Sequence, residues 1–206
     1  MVLVFASNNA HKLSEVRAIM PAEIAILSLH DIGFEGEIAE TGTTLEENSR
    51  IKAATVAAFI GDRLSVIGER IDGVFSDDTG LEIDALGGKP GVYTARWAGE
   101  PAANRKKALA ELAGQTNRGA QFRTVITLIV MNEGVKELKN EGIIQVEGIV
   151  RGRIADREYG NGGFGYDPLF IPEGYDRTFA ELPAEIKNSI SHRGRALQAL
   201  VKTLYG

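Results

Sequence analysis

Three short stretches of this chain carry polar side chains where a core-building sequence has no need of them. Ser76-Asp77-Asp78-Thr79-Gly80 ends an apolar run with two adjacent carboxylates. Such neighbours repel unless a cation or a donor stands close. Mg²⁺ is one such cation, held by one or two carboxylates while a phosphate ligand supplies further oxygens. Glu40, just ahead of a helix start, is a third acid for the same ion. The structural alternative is an Asx-type turn, with Asp78 bonded to the backbone near Gly80. The second stretch, Ser7-Asn8-Asn9-Ala10-His11-Lys12, follows the first apolar run. Backbone N–H groups at a strand-to-helix turn bind anions, and the helix dipole adds to the attraction. The Ser7 hydroxyl, the Asn9 amide and the Lys12 ammonium suit a phosphate. The stretch lacks the glycine-rich loop ending Gly-Lys-Ser/Thr, and a helix cap followed by a solvated lysine is the plainer account of it. The third stretch is Gly162-Gly163-Phe164-Gly165-Tyr166-Asp167-Pro168, with Lys187 and Ser191-His192-Arg193 downstream. Glycines let a ligand approach the backbone closely. Phe164 and Tyr166 offer ring faces for a stacked base. Asp167 accepts hydrogen bonds; Lys187, His192 and Arg193 donate them. Here the plainer account is a glycine loop over buried aromatics and a basic cap on the last helix.

The elements that must position these groups follow from periodicity. Val2–Ala6 reads as a buried strand, and Leu13, Val16, Ile19 and Met20 recur at helical spacing after the polar turn. A second strand is expected over Glu23–Ser28. Thr43 with Glu46 three residues on fits a capping box, opening a helix that runs to about Ile60. Val74–Asp77 reads as a short strand, followed by Leu81–Ile83 and a Gly/Pro loop at Gly87–Gly91. Residues 102–113 are alanine-rich and helical. Phe122–Met131 is the strongest strand signal, and Ile143–Val150 alternates as its neighbour. Gly160–Gly165 is a loop, and Ala196, Leu197, Leu200, Val201 and Leu204 stripe a last helix. Helices and strands interleave, which predicts an α/β fold with a mixed sheet. Trp97 is expected to pack in the core or at a partly buried surface.

Composition narrows the function classes. A chain of 206 residues suits one domain or two closely joined lobes. With 44% hydrophobic and 25% charged residues it has a globular make-up. The net charge is −5, from 23 Lys+Arg against 28 Asp+Glu. An acidic chain is a poor ligand for nucleic acid or an anionic membrane, so neither is expected as a partner. Without cysteine, disulfides, thiolate metal sites and cysteine nucleophiles are excluded. No apolar run approaches the roughly 18 residues needed to span a bilayer, and the opening apolar run is too short for a signal peptide. A soluble cytoplasmic protein is the expectation.

Taken together, the three stretches resemble the inosine/xanthosine triphosphate pyrophosphatase family, the house-cleaning nucleotide hydrolases. The matching residues are Ser7–Lys12, Glu40-Thr41-Gly42-Thr43-Thr44-Leu45-Glu46-Glu47-Asn48, Ser76–Leu81, Leu86–Arg96, Gly162–Pro168 and Lys187–Arg193, in family order along nearly the whole chain. The resemblance implies an elongated, two-lobed single α/β domain with a cleft between lobes, and a homodimer. It implies Mg²⁺-dependent hydrolysis of purine nucleoside triphosphates such as ITP, dITP and XTP to monophosphate and pyrophosphate. Position by position, it implies that Ser7, Asn8, Asn9, Ala10, His11 and Lys12 hold the triphosphate. It makes Asp78 the general base and a metal-linked carboxylate, with Glu40 and Asp77 as further candidate ligands. Thr79 would touch substrate, and Phe164, Gly165, Tyr166, Asp167, Lys187, His192 and Arg193 would hold base and sugar. The residues alone do not separate Asp77 from Asp78 as the base. Many members carry Thr at the place of Ser7, a hydroxyl in either case. Many also carry an acid at the place of Ala39, which leaves open whether Glu40 binds a metal directly, through water or not at all. Rival readings are a pyrophosphatase for other modified nucleotides and a non-catalytic nucleotide-binding protein.

Overall fold

The computed structural model describes residues 1–61, 70–131 and 142–205. In chain order the elements are β1 (Val2–Phe5), α1 (Ala10–Ile19), β2 (Ala25–Leu27), α2 (Leu45–Gly61), β3 (Gly73–Ile83), β4 (Pro90–Gly91), α3 (Pro101–Glu111), β5 (Gly119–Val130), β6 (Ile143–Ile154), β7 (Phe170–Pro172), α4 (Ala184–Ile190) and α5 (His192–Tyr205). The strand order is β2-β1-β3-β5-β6-β7, with β4 on β3. β1 pairs parallel with β2 and β3, while β3–β4 and β6–β7 are antiparallel. The sheet is therefore mixed and the fold α/β, as expected.

Two compact units share the chain. The first comprises Met1–Asp78, Val125–Glu147 and Ala196–Gly206. β1 is buried on both faces, which is why Val2–Ala6 reads as a continuous apolar run and not as an alternation. Leu3, Phe5 and Phe75 enter one apolar cluster with Val16 and Met20 of α1 and Leu197 and Leu200 of α5. Val4, Ala6 and Val74 enter the other with Val56 and Ile60 of α2. From β1 the chain passes through α1 to β2 on one side, then through α2 to β3 on the other. Reversal of strand order beside β1 makes a switch point, and the carboxyl ends of β1 and of the parallel part of β3 are where such sheets bind ligands. Ser7–Lys12 follows β1, and Asp77 and Asp78 lie just past the parallel pairing of β3.

The second unit comprises Thr79–Thr124 and Gly148–Arg195. Its core gathers Leu81, Ile83, Ala108, Leu112, Phe122, Val150, Ile154, Tyr166, Phe170 and Phe179. Trp97 packs against this cluster, partly buried.

Several local expectations shift. The strand from Val74 does not stop at Asp77; β3 continues through the acidic pair to Ile83. Asp78 therefore sits in extended backbone and not in an Asx turn. The helix cap lies one residue further on than Thr43 and Glu46. Helix α2 begins at Leu45, so Thr44 is the cap: its Oγ1 accepts from Glu47 N at 3.1 Å, and Glu47 reaches back to Thr43 N at 2.6 Å. Adjacent threonines followed by adjacent glutamates make the two registers indistinguishable to pattern reading. The last helix starts at His192, four residues before its apolar stripe, because Ser191 Oγ accepts from Gly194 N at 3.1 Å and so caps it.

Candidate active site

In the first unit, the turn after β1 builds a helix N-terminus. Asn9 caps α1, its Oδ1 accepting from Lys12 N at 3.1 Å. Asn9 N donates to Ser7 Oγ at 3.2 Å, and Asn8 Nδ2 donates to Gly36 O at 3.0 Å. Asn8, Asn9, Ala10 and His11 are exposed; Ser7 and Lys12 are half-buried. The capped turn leaves a positive dipole end and the Lys12 side chain on the same loop. Lys12 Nζ bonds Asp77 Oδ1 at 2.9 Å, which ties this loop to the acidic end of β3.

Helix α2 supplies the partner that the sequence reading did not assign. Lys52 Nζ bonds Asp78 Oδ1 at 2.7 Å and Glu40 Oε1 at 2.7 Å. Two of the expected metal ligands thus converge on one ammonium group. Asn48 takes the other oxygen of Asp78: Nδ2 donates to Oδ2 at 3.4 Å, while its own Oδ1 accepts from Gly42 N at 2.8 Å. A backbone N–H only donates, so that contact fixes which way the amide points. Gly42 has no room for a side chain, since a Cβ there would stand 2.7 Å from Glu47 Cβ and 2.8 Å from Asn48 Oδ1. Asn48, Ser49 and Lys52 are buried on the same stripe as Leu45, Ala53, Val56 and Ile60. Polar residues at core spacing were the available signal for them.

Asp77 and Asp78 are both buried, and their electrostatics follow from that. Burial raises the Asp78 carboxyl above its ordinary value, outweighing the attraction of Lys52 and Lys12. Burial works to lower Lys52, but the charges of Asp78, Asp77 and Glu40 outweigh it and the net shift is upward. If Asp78 is the base, only its ionised form accepts a proton. Activity at limiting Mg²⁺ is therefore expected to fall, on the acid side, at a pH above the 3.8 of an ordinary aspartate. Were Mg²⁺ to bind Asp78, it would favour the carboxylate and move that limb to lower pH. A profile of kcat/KM against pH at two magnesium concentrations reads both.

In the second unit, Gly163 allows a tight turn in which Phe164 N donates to Asp167 Oδ2 at 2.7 Å. Gly163 has φ +67°, and a Cβ there would strike that same Asp167 oxygen. Lys187 Nζ, from α4, bonds Asp167 Oδ2 at 2.6 Å and lies 5.0 Å from the Phe164 ring centre. Arg193 Cζ lies 5.7 Å from the same ring, and Arg193 Nη2 donates to Thr79 Oγ1 at 3.4 Å. His192 stacks on Phe122, centroids 4.6 Å apart and planes at 20°. Arg105 Nη1 holds Gly165 O at 2.9 Å. Phe164, Asp167, Lys187, Arg193 and Thr79 thus form one group, with His192 packed beside it on Phe122. Tyr166 differs from the expectation of an open stacking face: its ring is in the core, its hydroxyl donates to Thr94 O at 3.3 Å, and burial holds its pKa well above the ordinary value. Phe164 alone of the two keeps a partly open face. The alternation of Gly, Phe, Gly and Tyr gives no sign of which ring turns inward.

The fold is α/β; its first unit sets buried aspartates against a half-buried and a buried lysine at the carboxyl end of the parallel strands, and its second gathers an aromatic ring with cations, each suited to an anionic ligand. Comparison with known proteins agrees. The model of the Ham1 family matches residues 3–203. A Flavobacterium johnsoniae protein named dITP/XTP pyrophosphatase is 46% identical over 99% of this chain and 98% of its own length. The solved Ham1 protein of Staphylococcus aureus is 36% identical, with a TM-score of 0.79 over 99% of this chain and 98% of that one. A HAM1 protein from Coxiella burnetii is 35% identical, with a TM-score of 0.81 over the same shares. The chain belongs to the Ham1 family. With membership goes the enzyme class, a hydrolase acting on phosphoanhydride bonds. Among the described residues, no helix is long and apolar enough to cross a membrane.

Proposed function

We propose that the chain hydrolyses the purine nucleoside triphosphates ITP, dITP and XTP, with Mg²⁺, to the nucleoside monophosphate and pyrophosphate. The observation that carries this reading is the paired arrangement of Lys12 on Asp77 and of Lys52 between Glu40 and Asp78 at the carboxyl end of the parallel strands. The relatives' names supply the substrate class. Among the described residues, no three Asp, Glu, His or Cys side chains stand together as a metal cage. One or two carboxylates with phosphate oxygens completing the shell is the usual Mg²⁺ arrangement, and the hard oxygens of Asp78 and Glu40 fit it, with Asp77 as the further candidate. When bound, the ion neutralises phosphate oxygens and makes pyrophosphate a better leaving group.

The chain's own residues carry the rest of the mechanism. The α1 N-terminus, the Ser7 hydroxyl, the residues Asn8 to His11 and the Lys12 ammonium hold the triphosphate. Asp78 accepts a proton from the attacking water as its oxygen bonds to the α-phosphorus; the bond from that phosphorus to the bridging oxygen breaks, and pyrophosphate leaves with the electron pair. The raised pKa of Asp78 suits a base; both acids are paired, Asp77 with Lys12 and Asp78 with Lys52, so the assignment of the base to Asp78 follows the family resemblance. Phe164 stacks the purine, Lys187 and Asp167 set the turn that carries it, and donors from Arg193 or His192 meet the 6-oxo group. Adenine offers a 6-amino donor there, so it meets donor against donor. A homodimer and a cytoplasmic setting belong to the same reading.

The test is pyrophosphate release from ITP, dITP, XTP, ATP and GTP, with and without Mg²⁺. Release is expected from the first three only with the metal, with kcat/KM for ATP at least about 100-fold lower, as a mispaired buried donor imposes. Equal rates across the panel would remove the selectivity argument, and absence of release would remove the activity.

A further inference from the structure

Thr124 stands in β5, just before the apolar run Val125–Val130, and is fully buried. Its hydroxyl meets the Thr79 hydroxyl at 2.7 Å, and either oxygen is geometrically able to donate. The direction follows from what surrounds them. Arg193 Nη2 lies 3.4 Å from Thr79 Oγ1, and a guanidinium only donates, so Thr79 accepts there. Among the described residues, Thr124 Oγ1 has no hydrogen-bond partner but Thr79. Were Thr79 to donate to it, the Thr124 proton would be buried with no acceptor, which folded proteins avoid. We infer that Thr124 donates to Thr79 and is a positioning residue: with two donors on its oxygen, the half-buried Thr79 presents its own proton to an acceptor oxygen of the bound nucleotide. A hydroxyl that can otherwise donate or accept is fixed as a donor. The inference rests on the proposed activity and on Thr79 touching substrate.

The experiment uses the full chain and pyrophosphate release from ITP. Thr124→Val keeps the shape and removes the donor. Thr79 then loses the donor that fixes its hydroxyl rotor, and kcat/KM is expected to fall about tenfold, the worth of one hydrogen bond near 1.4 kcal/mol, with little change in melting temperature. Thr124→Ser restores the donor and the rate. Thr79→Val lowers the rate at least as far, and the double variant Thr79→Val/Thr124→Val falls no further than Thr79→Val alone, since Thr124 acts only through Thr79. A merely structural Thr124 predicts additive losses, or a loss that tracks melting temperature; either result overturns the inference, as does a Thr124→Val enzyme with unchanged kcat/KM. An inactive wild type would instead overturn the proposed activity, and this inference with it.

Discussion

The Asp78→Asn variant is expected to lose about 10²–10⁴-fold in the rate of pyrophosphate release, the range a positioned acid or base contributes. Asparagine has the same shape and keeps one oxygen, which serves Lys52; its amide then faces Asn48 Nδ2, donor against donor, at the cost of the long 3.4 Å contact only, so folding is retained. What it lacks is proton affinity and negative charge. Far-ultraviolet circular dichroism and the melting temperature serve as controls beside the rate. Asp77→Asn separates the two acids. Asp77 is held by Lys12 at 2.9 Å, so its loss is expected to weaken nucleotide affinity through that lysine more than it lowers turnover. A near-wild-type Asp78→Asn would move the base elsewhere.

Lys52→Met is expected to cost about 3 kcal/mol of stability, because it removes one partner of a buried pair and leaves Asp78 without its closest countercharge. In a chain of this size that is a fall of roughly 10 °C in melting temperature. The pH dependence has a definite sign. The pKa of Lys52 is raised on folding above its ordinary 10.5, so its contribution is fully present below that value and is lost only as pH rises through the raised pKa. At neutral pH the wild type therefore keeps all of it. In the variant, Asp78 has an upward-shifted pKa and takes up a proton on mild acidification, so the deficit shrinks as pH falls. Melting curves at pH 7 and near pH 5 for both proteins check this. A deficit that stays constant between the two would place the damage in packing and not in charge.

Polar clusters are more legible in this sequence than the elements that carry them. Ser7–Lys12, Asp77–Asp78 and Phe164–Arg193 stand out because polar groups interrupt apolar patterns, and the interruption survives in one dimension. Lys52 and Asn48 were harder to see. Each looks like a solvated position inside a helix rich in Glu, Asn and Arg, and only their phase against Leu45, Val56 and Ile60 shows that they face inward. β3 reads as two pieces in sequence because two carboxylates and a glycine are poor strand formers; pairing with β1 and β4 on successive stretches overrides that preference. Tyr166 reads as a stacking face because a glycine-rich loop does not encode which of its rings the core takes. The direction of the Thr124 hydroxyl is absent from sequence altogether, since it depends on a partner 45 residues away.

Helix α2 has one consequence for anyone who would harden this protein. Its inward stripe mixes Leu45, Ala53, Val56 and Ile60 with Asn48, Ser49 and Lys52, and a redesign that scored burial alone would replace the polar three with aliphatic residues. Such a swap would leave Asp78 buried without Lys52 and without the Asn48 amide, and breaking a buried pair by removing one partner is strongly destabilising. The outcome would be a weaker molecule, since the positions most tempting to improve include those that hold Asp78 in place; only a redesign that removed Asp78 and Glu40 as well would escape that loss.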